Sequence, residues 1–173
     1  RVAVYDAMPR PGRKLLLAGK SGLNITHAEP FERFVNRYGA AADWLRPSLE
    51  AFGPETVRAF CTELGIETFV GSSGRVFPKA MKASPLLRAW LRRLEVLGVQ
   101  FFGRHRLTGI GPGPVLEFDM PEGPVTVQPK AAVLALGGAS YRRLGSDGHG
   151  TGLLAAHGVE LSPFRPANMG FEV

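Results

Sequence analysis

The sequence predicts an α/β fold, in which a parallel sheet with helices carries a small antiparallel β-meander. Two wholly apolar runs, VAVY at 2–5 and AAVLAL at 131–136, are typical of strands buried on both faces. Between them the apolar residues recur first at helical spacing and then, from residue 99, at every second position. A strand, several helices, a meander and a second central strand, in this order, are the pattern of an α/β domain.

The individual helices and strands are predicted from the spacing of apolar residues and from the residues that typically begin or end such elements. The first strand ends at Asp6, and a loop rich in glycine, proline and basic residues runs to about Asn24. Pro54 is a good first helical residue. The predicted elements after the loop are helices at 31–38, 42–52 and 54–64, strands at 66–70 and 75–77, a helix capped by Ser84 and ending at Gly98, meander strands at 99–103, 106–110, 115–120 and 125–128, the central strand at 131–136, and a helix from Gly150 to Ala156.

The length and composition are those of a single globular domain, which we predict to span residues 1–173. No apolar run approaches the roughly 20 residues that cross a bilayer, so a membrane partner is not expected. The single cysteine, Cys61, excludes an internal disulfide and fits a reducing compartment, so we expect a cytoplasmic protein. Arg1 opens directly onto a strand, and we therefore expect the chain to be an internal piece of a longer protein.

The net charge of +6 is compatible with three kinds of partner: nucleic acid, an anionic membrane surface or a phosphorylated ligand. The basic residues are dispersed in short groups along the chain, whereas a nucleic-acid surface usually has a denser stripe. We therefore expect no nucleic-acid partner and favour a small-molecule ligand.

Asp6 is the first candidate binding residue, because it ends the first strand. In a dinucleotide-binding fold, an acidic residue at the end of the second strand accepts hydrogen bonds from the adenosine ribose. Aspartate is also a common turn former. The residues alone leave these two interpretations equal.

The loop PGRKLLLAGKSGLN at 11–24 contains a second candidate site. Its GKS does not end a phosphate-binding P-loop, because Lys14 stands where that motif requires its first glycine. The basic pair Arg13 and Lys14, followed by Ser21 and Gly22, suits an anion or an electron-rich ring. A solvated basic loop is the alternative.

The stretch AAVLALGGASYRRLGSDGHG at 131–150 ends a predicted central strand in two glycines. Gly137 and Gly138 would place bare backbone at the carboxyl edge of the sheet, where ligands bind in open α/β folds. The later glycines lead into a helix N-terminus, which favours negative charge. A glycine-rich connection without a ligand is the alternative.

No metal site is predicted, because the four histidines show no ligand spacing among themselves or with carboxylates. The sequence also contains no nucleophile elbow with Ser, His and Asp partners. No residue can therefore be named as a catalytic acid or base.

Three segments in this order resemble the YhiN-like, or BaiN-like, flavoproteins: 1–27 (RVAVYDAMPRPGRKLLLAGKSGLNITH), 74–84 (GRVFPKAMKAS) and 131–158 (AAVLALGGASYRRLGSDGHGTGLLAAHG). That family consists of NAD(P)/FAD-dependent oxidoreductases with two dinucleotide-binding domains. The resemblance runs over nearly the whole chain. It implies an incomplete Rossmann-like FAD-binding domain, FAD as the cofactor, NAD(P)H as a possible electron donor and a small-molecule substrate.

The resemblance also implies the residues that contact the cofactor. They are Asp6 at the ribose of the FAD adenosine, Arg13, Lys14, Ser21, Gly22 and Asn24 along the pyrophosphate and flavin, the backbone near Leu107 at the adenine, Gly137 and Gly138 close to the dinucleotide, and Gly148 and His149 near the flavin.

The sequence departs from the family pattern in three places. Relatives carry Gly-Gly-Gly-Arg-Cys-Asn where this chain has GKSGLN, and often an acidic residue where it has His149. The third departure concerns the glycine fingerprint G-x-G-x-x-G. It is expected about 20 residues before Asp6, which is upstream of Arg1, and is therefore missing from this sequence. We therefore expect part of an FAD-dependent oxidoreductase, inactive as residues 1–173 alone. The alternative is a non-catalytic module that binds FAD or another adenine nucleotide.

Overall fold

A computed structural model describes residues 1–18 and 22–165 of the chain. The strands are β1 (Ala3–Asp6), β2 (Thr26–His27), β3 (Thr68–Val70), β4 (Arg75–Pro78), β5 (Gln100–Gly103), β6 (Arg106–Ile110), β7 (Leu116–Met120) and β8 (Gly123–Val127). The α-helices are α1 (Arg13–Ala18), α2 (Phe31–Asn36), α3 (Ala42–Ala51), α4 (Pro54–Glu63), α5 (Ala83–Val96) and α6 (His149–Ala156), with short 3-10 turns at Gly39–Ala41 and Arg142–Leu144. Within the described ranges, every helix is too short or too polar to cross a membrane.

The chain divides into two compact units. The first comprises Arg1–Val2 and Leu15–Val99, and the second comprises Ala3–Lys14 with the chain from Gln100 onward. The extent of the FAD-binding domain, 1–173, stays a prediction.

The first unit is built on a three-stranded antiparallel sheet in the order β2-β4-β3. Its helices α3 and α4 lie within one residue of the predicted bounds, and α4 begins at Pro54 as expected. The core of this unit contains Leu23, Cys61 and Leu86. Burial raises the pKa of the Cys61 thiol, so this cysteine is a small buried hydrophobic group.

Helix α5 begins one residue earlier than its predicted cap. Lys82 occupies the N-cap position and Ser84 lies inside the first turn, so the prediction of Ser84 as the cap is wrong. The reason is packing, because Ala83 is only 2% exposed and is drawn into the core. Pro85 is tolerated there, since the first turn of a helix leaves its N–H groups unbonded in any case.

The second unit contains the parallel pair that the α/β prediction requires. Strand β1 pairs parallel with β5, from Ala3 opposite Gln100 to Asp6 opposite Gly103. The run at 99–103 is therefore not a meander strand as predicted. The antiparallel meander consists of β6, β7 and β8, and its core is formed by Leu107, Leu116 and Phe118.

The prediction of a central strand at 131–136 is wrong. These residues form no regular element, and no described strand pairs with them. Val133 is 93% exposed, whereas Leu136 packs against the meander core. A buried strand needs neighbours that bond its N–H and C=O groups. An apolar run cannot show whether such neighbours exist.

Candidate functional site

The turn after β1 is shaped by Asp6. Its Oδ1 accepts a hydrogen bond from the Met8 N–H at 2.7 Å, and its backbone oxygen accepts one from the His105 N–H at 3.0 Å. A carboxylate bonded to the backbone two residues on is the turn-forming arrangement of aspartate. Within the described residues no hydrogen bond reaches Oδ2. Asp6 therefore forms the turn with one oxygen, and its predicted contact with a ribose stays a prediction.

Lys14 connects this part of the chain to the loop that follows Gly137. Its Nζ donates to the Ser140 Oγ at 2.6 Å across 126 positions of sequence. Ser140 in turn lies 3.4 Å from the Ser146 Oγ. The sequence reasoning missed both serines. Their only signal was the presence of small polar residues among the glycines, in GGAS and GSDG.

The loop from Gly137 to Gly148, called here the glycine tip, is closed on the carbonyl of Gly138. That oxygen accepts from the Ser146 Oγ at 2.8 Å and from the Gly148 N–H at 3.1 Å. Ser146 is 5% exposed and is a buried polar residue of the described chain. Both acceptor positions of this carbonyl are thus used inside the loop.

An ion pair fixes the other end of the glycine tip. The Arg106 Nη2 donates to the Asp147 Oδ2 at 2.7 Å, and the Asp147 Oδ1 accepts from the His149 N–H at 3.0 Å. The pKa of Asp147 lies below its usual range. The hydrogen bond from Arg106 is the largest cause, and the hydrogen bond from the His149 backbone is the second. The carboxylate is therefore charged near neutral pH and anchors the start of α6 to β6. Sequence reasoning missed this pair, which spans 41 positions.

The glycines of this loop are required by the fold for identifiable reasons, with one exception. Gly137, Gly145 and Gly148 have φ of 71°, 85° and 78°, in the left-handed region. Just beyond the tip, in α6, a Cβ on Gly150 would lie 2.7 Å from the Leu136 Cδ1. Gly138 is the exception, because its φ lies outside the left-handed region and the nearest atom to a Cβ would be Phe164 Cε1 at 3.5 Å. The described chain itself does not require a glycine at 138.

The side chains of the other predicted site residues of the second unit take no part in this network. The Leu107 side chain is buried in the meander core, and its residue pairs with Phe118. His149 is exposed at the start of α6, and Arg13 is exposed at the start of α1. Their contacts with a cofactor stay predictions.

Two predicted site residues belong to the first unit. Gly22 has φ of 135°, and a Cβ there would lie 2.8 Å from the Met81 Cε. Asn24 is exposed beside it, between the buried Leu23 and β2. Ser21 lies outside the described residues. The roles of these three positions stay predictions.

In residues 1–18 and 22–165, no three side chains of His, Cys, Asp or Glu are grouped so that they could hold a metal ion. Histidines of both units contact backbone oxygens. His27 Nε2 lies 3.0 Å from the Ser73 oxygen, and His105 Nδ1 lies 2.9 Å from the Gly103 oxygen. These contacts are structural.

The parallel β1–β5 pair, the meander and the glycine tip before α6 are features of a Rossmann-type domain. Comparison with known proteins agrees, because the family model described as HI0933-like protein Rossmann domain matches residues 1–165. The chain belongs to this family, which includes the YhiN-like and BaiN-like flavoproteins, so the resemblance and the α/β fold class are confirmed.

A curated relative is the 3-dehydro-bile acid delta(4,6)-reductase of Clostridium scindens. It is 26% identical to this chain over 170 residues, which cover 96% of the chain and 40% of the relative. The chain thus spans about two fifths of the relative's length.

Proposed function

We propose that the protein is an FAD-dependent oxidoreductase that passes reducing equivalents from NAD(P)H, through FAD, to a small-molecule substrate in the cytoplasm. The observation that carries this proposal is membership of the Rossmann family over residues 1–165. The relative from Clostridium scindens supports it, since its name describes a reductase.

The residues of the second unit fit a dinucleotide. Gly138 has no side chain although the described chain does not require a glycine there, since a Cβ at this position would make only an ordinary contact with the Phe164 ring, 3.5 Å away. Asp6 has a carboxylate oxygen, Oδ2, that is not used by the turn. A bare backbone position and an acceptor for sugar hydroxyls are the groups that a dinucleotide site requires.

In this proposal the chain binds and orients the cofactor. Asp6 accepts hydrogen bonds from the adenosine ribose, Gly137 and Gly138 approach the dinucleotide, and Gly148 and His149 lie toward the flavin. The positions Arg13, Ser21, Gly22, Asn24 and Leu107 complete the proposed set. When bound, the flavin supplies the hydride chemistry, and the protein supplies its orientation and electrostatic surroundings.

A second candidate function is binding of FAD or another adenine nucleotide without catalysis. One observation favours it. In the described part of the second unit, the acidic group at the glycine tip, Asp147, is held in an ion pair with Arg106. The carboxylate of the described tip is therefore engaged by Arg106 and is not free to act on a substrate.

The flavin spectrum of the full-length protein distinguishes these functions. We expect a yellow protein whose flavin absorbance is bleached when NADPH or NADH is added without oxygen. A flavin band that persists with both donors and disappears only with dithionite would favour the binding module. Absence of any flavin binding, even after incubation with excess FAD, would contradict the oxidoreductase and leave only a module that binds another adenine nucleotide.

Replacing Gly138 by alanine tests the bare position. We expect Gly138→Ala to weaken FAD binding about tenfold, because a methyl group in a tight contact costs roughly 1–3 kcal/mol. Its effect on the free energy of unfolding should stay within about 0.5 kcal/mol, since the nearest atom to the new Cβ is 3.5 Å away. Flavin fluorescence titration and urea unfolding measure the two quantities.

Gly152→Ala is the matched control. Gly152 lies within α6, and a Cβ there meets nothing within 4 Å. The change should stabilise the fold by about 0.5–1 kcal/mol and leave FAD affinity unaltered. Equal affinities for the Gly138 variant and the unmodified protein would show that no ligand approaches this backbone.

A further inference from the structure

A chain of three hydrogen bonds joins Lys14 to the backbone of the glycine tip. The Lys14 Nζ donates to the Ser140 Oγ at 2.6 Å, the two serine oxygens are 3.4 Å apart, and the Ser146 Oγ donates to the Gly138 oxygen at 2.8 Å. Lys14 is thus connected, within the second unit, to three groups of the glycine tip that lie more than 120 positions away in sequence.

The direction of every bond in this chain is determined by chemistry. A carbonyl only accepts, so the single hydroxyl proton of Ser146 is directed to Gly138. The Ser146 oxygen must then accept from Ser140. The Ser140 oxygen accepts from Lys14, because an ammonium group only donates. All three bonds therefore run from the lysine charge toward the Gly138 carbonyl, and each one polarises the next.

The end point of the chain controls the shape of the glycine tip. The Gly138 oxygen also accepts from the Gly148 N–H at 3.1 Å, which closes the loop between the two glycines. Ser146 is buried, so loss of its partners leaves a polar group that water does not readily satisfy. The Gly138 peptide is thereby linked to Lys14 through the two serines.

We infer that Lys14 is a positioning residue, which holds the glycine tip in its binding geometry through Ser140 and Ser146. The part of this role that concerns the ligand rests on the proposed function. The ordering of the glycine tip by Lys14 is a property of the protein without cofactor. A lysine that instead contacts a phosphate directly would act through its own charge. The two roles predict different FAD affinities for a double variant and different effects of added salt on FAD binding.

The test compares Lys14→Met, Ser146→Ala and the double variant in the full-length protein. In the protein without FAD, we expect hydrogen exchange at the Gly148 amide to become about tenfold faster in each single variant. The double variant should exchange no faster than the Ser146 variant, because both changes break the same chain. Lys14→Arg, which keeps a charged donor, should restore most of the protection.

Arg13→Met is the control for charge. It removes a neighbouring exposed cation that lies outside the chain of hydrogen bonds, so exchange at Gly148 should match that of the unmodified protein. If Lys14→Met also leaves this exchange unchanged, the inference is wrong.

Titration with FAD provides the second readout. We expect Lys14→Met and Ser146→Ala to weaken FAD binding by similar factors, about five- to twentyfold, without additivity and with an unchanged salt dependence. Additive losses, with a reduced salt dependence for Lys14→Met, would indicate a direct phosphate contact and overturn the inference. If the unmodified protein binds no FAD, the proposed function fails, and the exchange measurement still decides the role of Lys14.

Discussion

Asp6→Ala in the full-length protein should weaken FAD binding by about tenfold to a hundredfold. A carboxylate that accepts hydrogen bonds from ribose hydroxyls makes charge-assisted contacts of roughly 1.5–3 kcal/mol each. Each 1.4 kcal/mol corresponds to a factor of about ten in affinity. Titration of flavin fluorescence measures the loss directly.

Asp6→Asn separates ribose binding from the turn. Its Oδ1 can still accept the bond that the Met8 N–H makes at 2.7 Å, so the turn is kept while the charge is lost. We expect this variant to melt like the unmodified protein and still to lose most of its FAD affinity. Asp6→Ala loses the turn contact as well, at about 1 kcal/mol or less of stability. Full FAD affinity in the asparagine variant would show that Asp6 only forms the turn.

Gly103→Ala should produce the largest loss of stability. A Cβ on Gly103 would lie 2.5 Å from the Pro9 oxygen and 2.9 Å from the Pro9 carbonyl carbon. Both are backbone atoms of the turn that follows Asp6, so they cannot move aside as a flexible side chain can. Overpacking of this kind typically costs about 1–3 kcal/mol, and we expect the upper end of that range.

Urea unfolding measures this loss, with Gly152→Ala as a glycine-to-alanine change that introduces no clash. We also expect Gly103→Ala to bind FAD more weakly. Residue 103 pairs with Asp6, so a shift of the backbone at 103 would displace the turn that Asp6 forms. An unfolding midpoint equal to that of the unmodified protein would contradict the close contact with Pro9.

The sequence predicts those parts of the fold that local spacing determines. The bounds of helices α3 and α4 were predicted within one residue. The signals for them, the spacing of apolar residues and the proline at position 54, lie within the helices themselves. The pairing of 99–103 and the state of 131–136 were predicted wrongly. Both depend on which distant strand supplies hydrogen bonds, and an apolar pattern carries no information about that choice.

The candidate site shows the same limit. Asp6, Lys14 and Gly138 were found because each stands in a local motif, at a strand end, in a basic loop or in a glycine pair. Ser140 was missed because its partner, Lys14, lies 126 positions away. Arg106 and Asp147 were missed for a similar reason, since nothing near either residue indicates the other.

The parallel pairing of β1 with β5 has a consequence for the order of folding. Before Ala3 can meet Gln100, the chain must close a loop that includes all of 7–99. The entropy of such a closure is roughly 4 kcal/mol from (3/2)RT ln n, against about 1 kcal/mol for a hairpin connection of a few residues. The hairpin of β7 and β8 should therefore form early and the β1–β5 pair late. Asp6 and Gly103 meet only in that late step, so the packing of the Asp6 turn against β5 is among the last contacts of this unit to form.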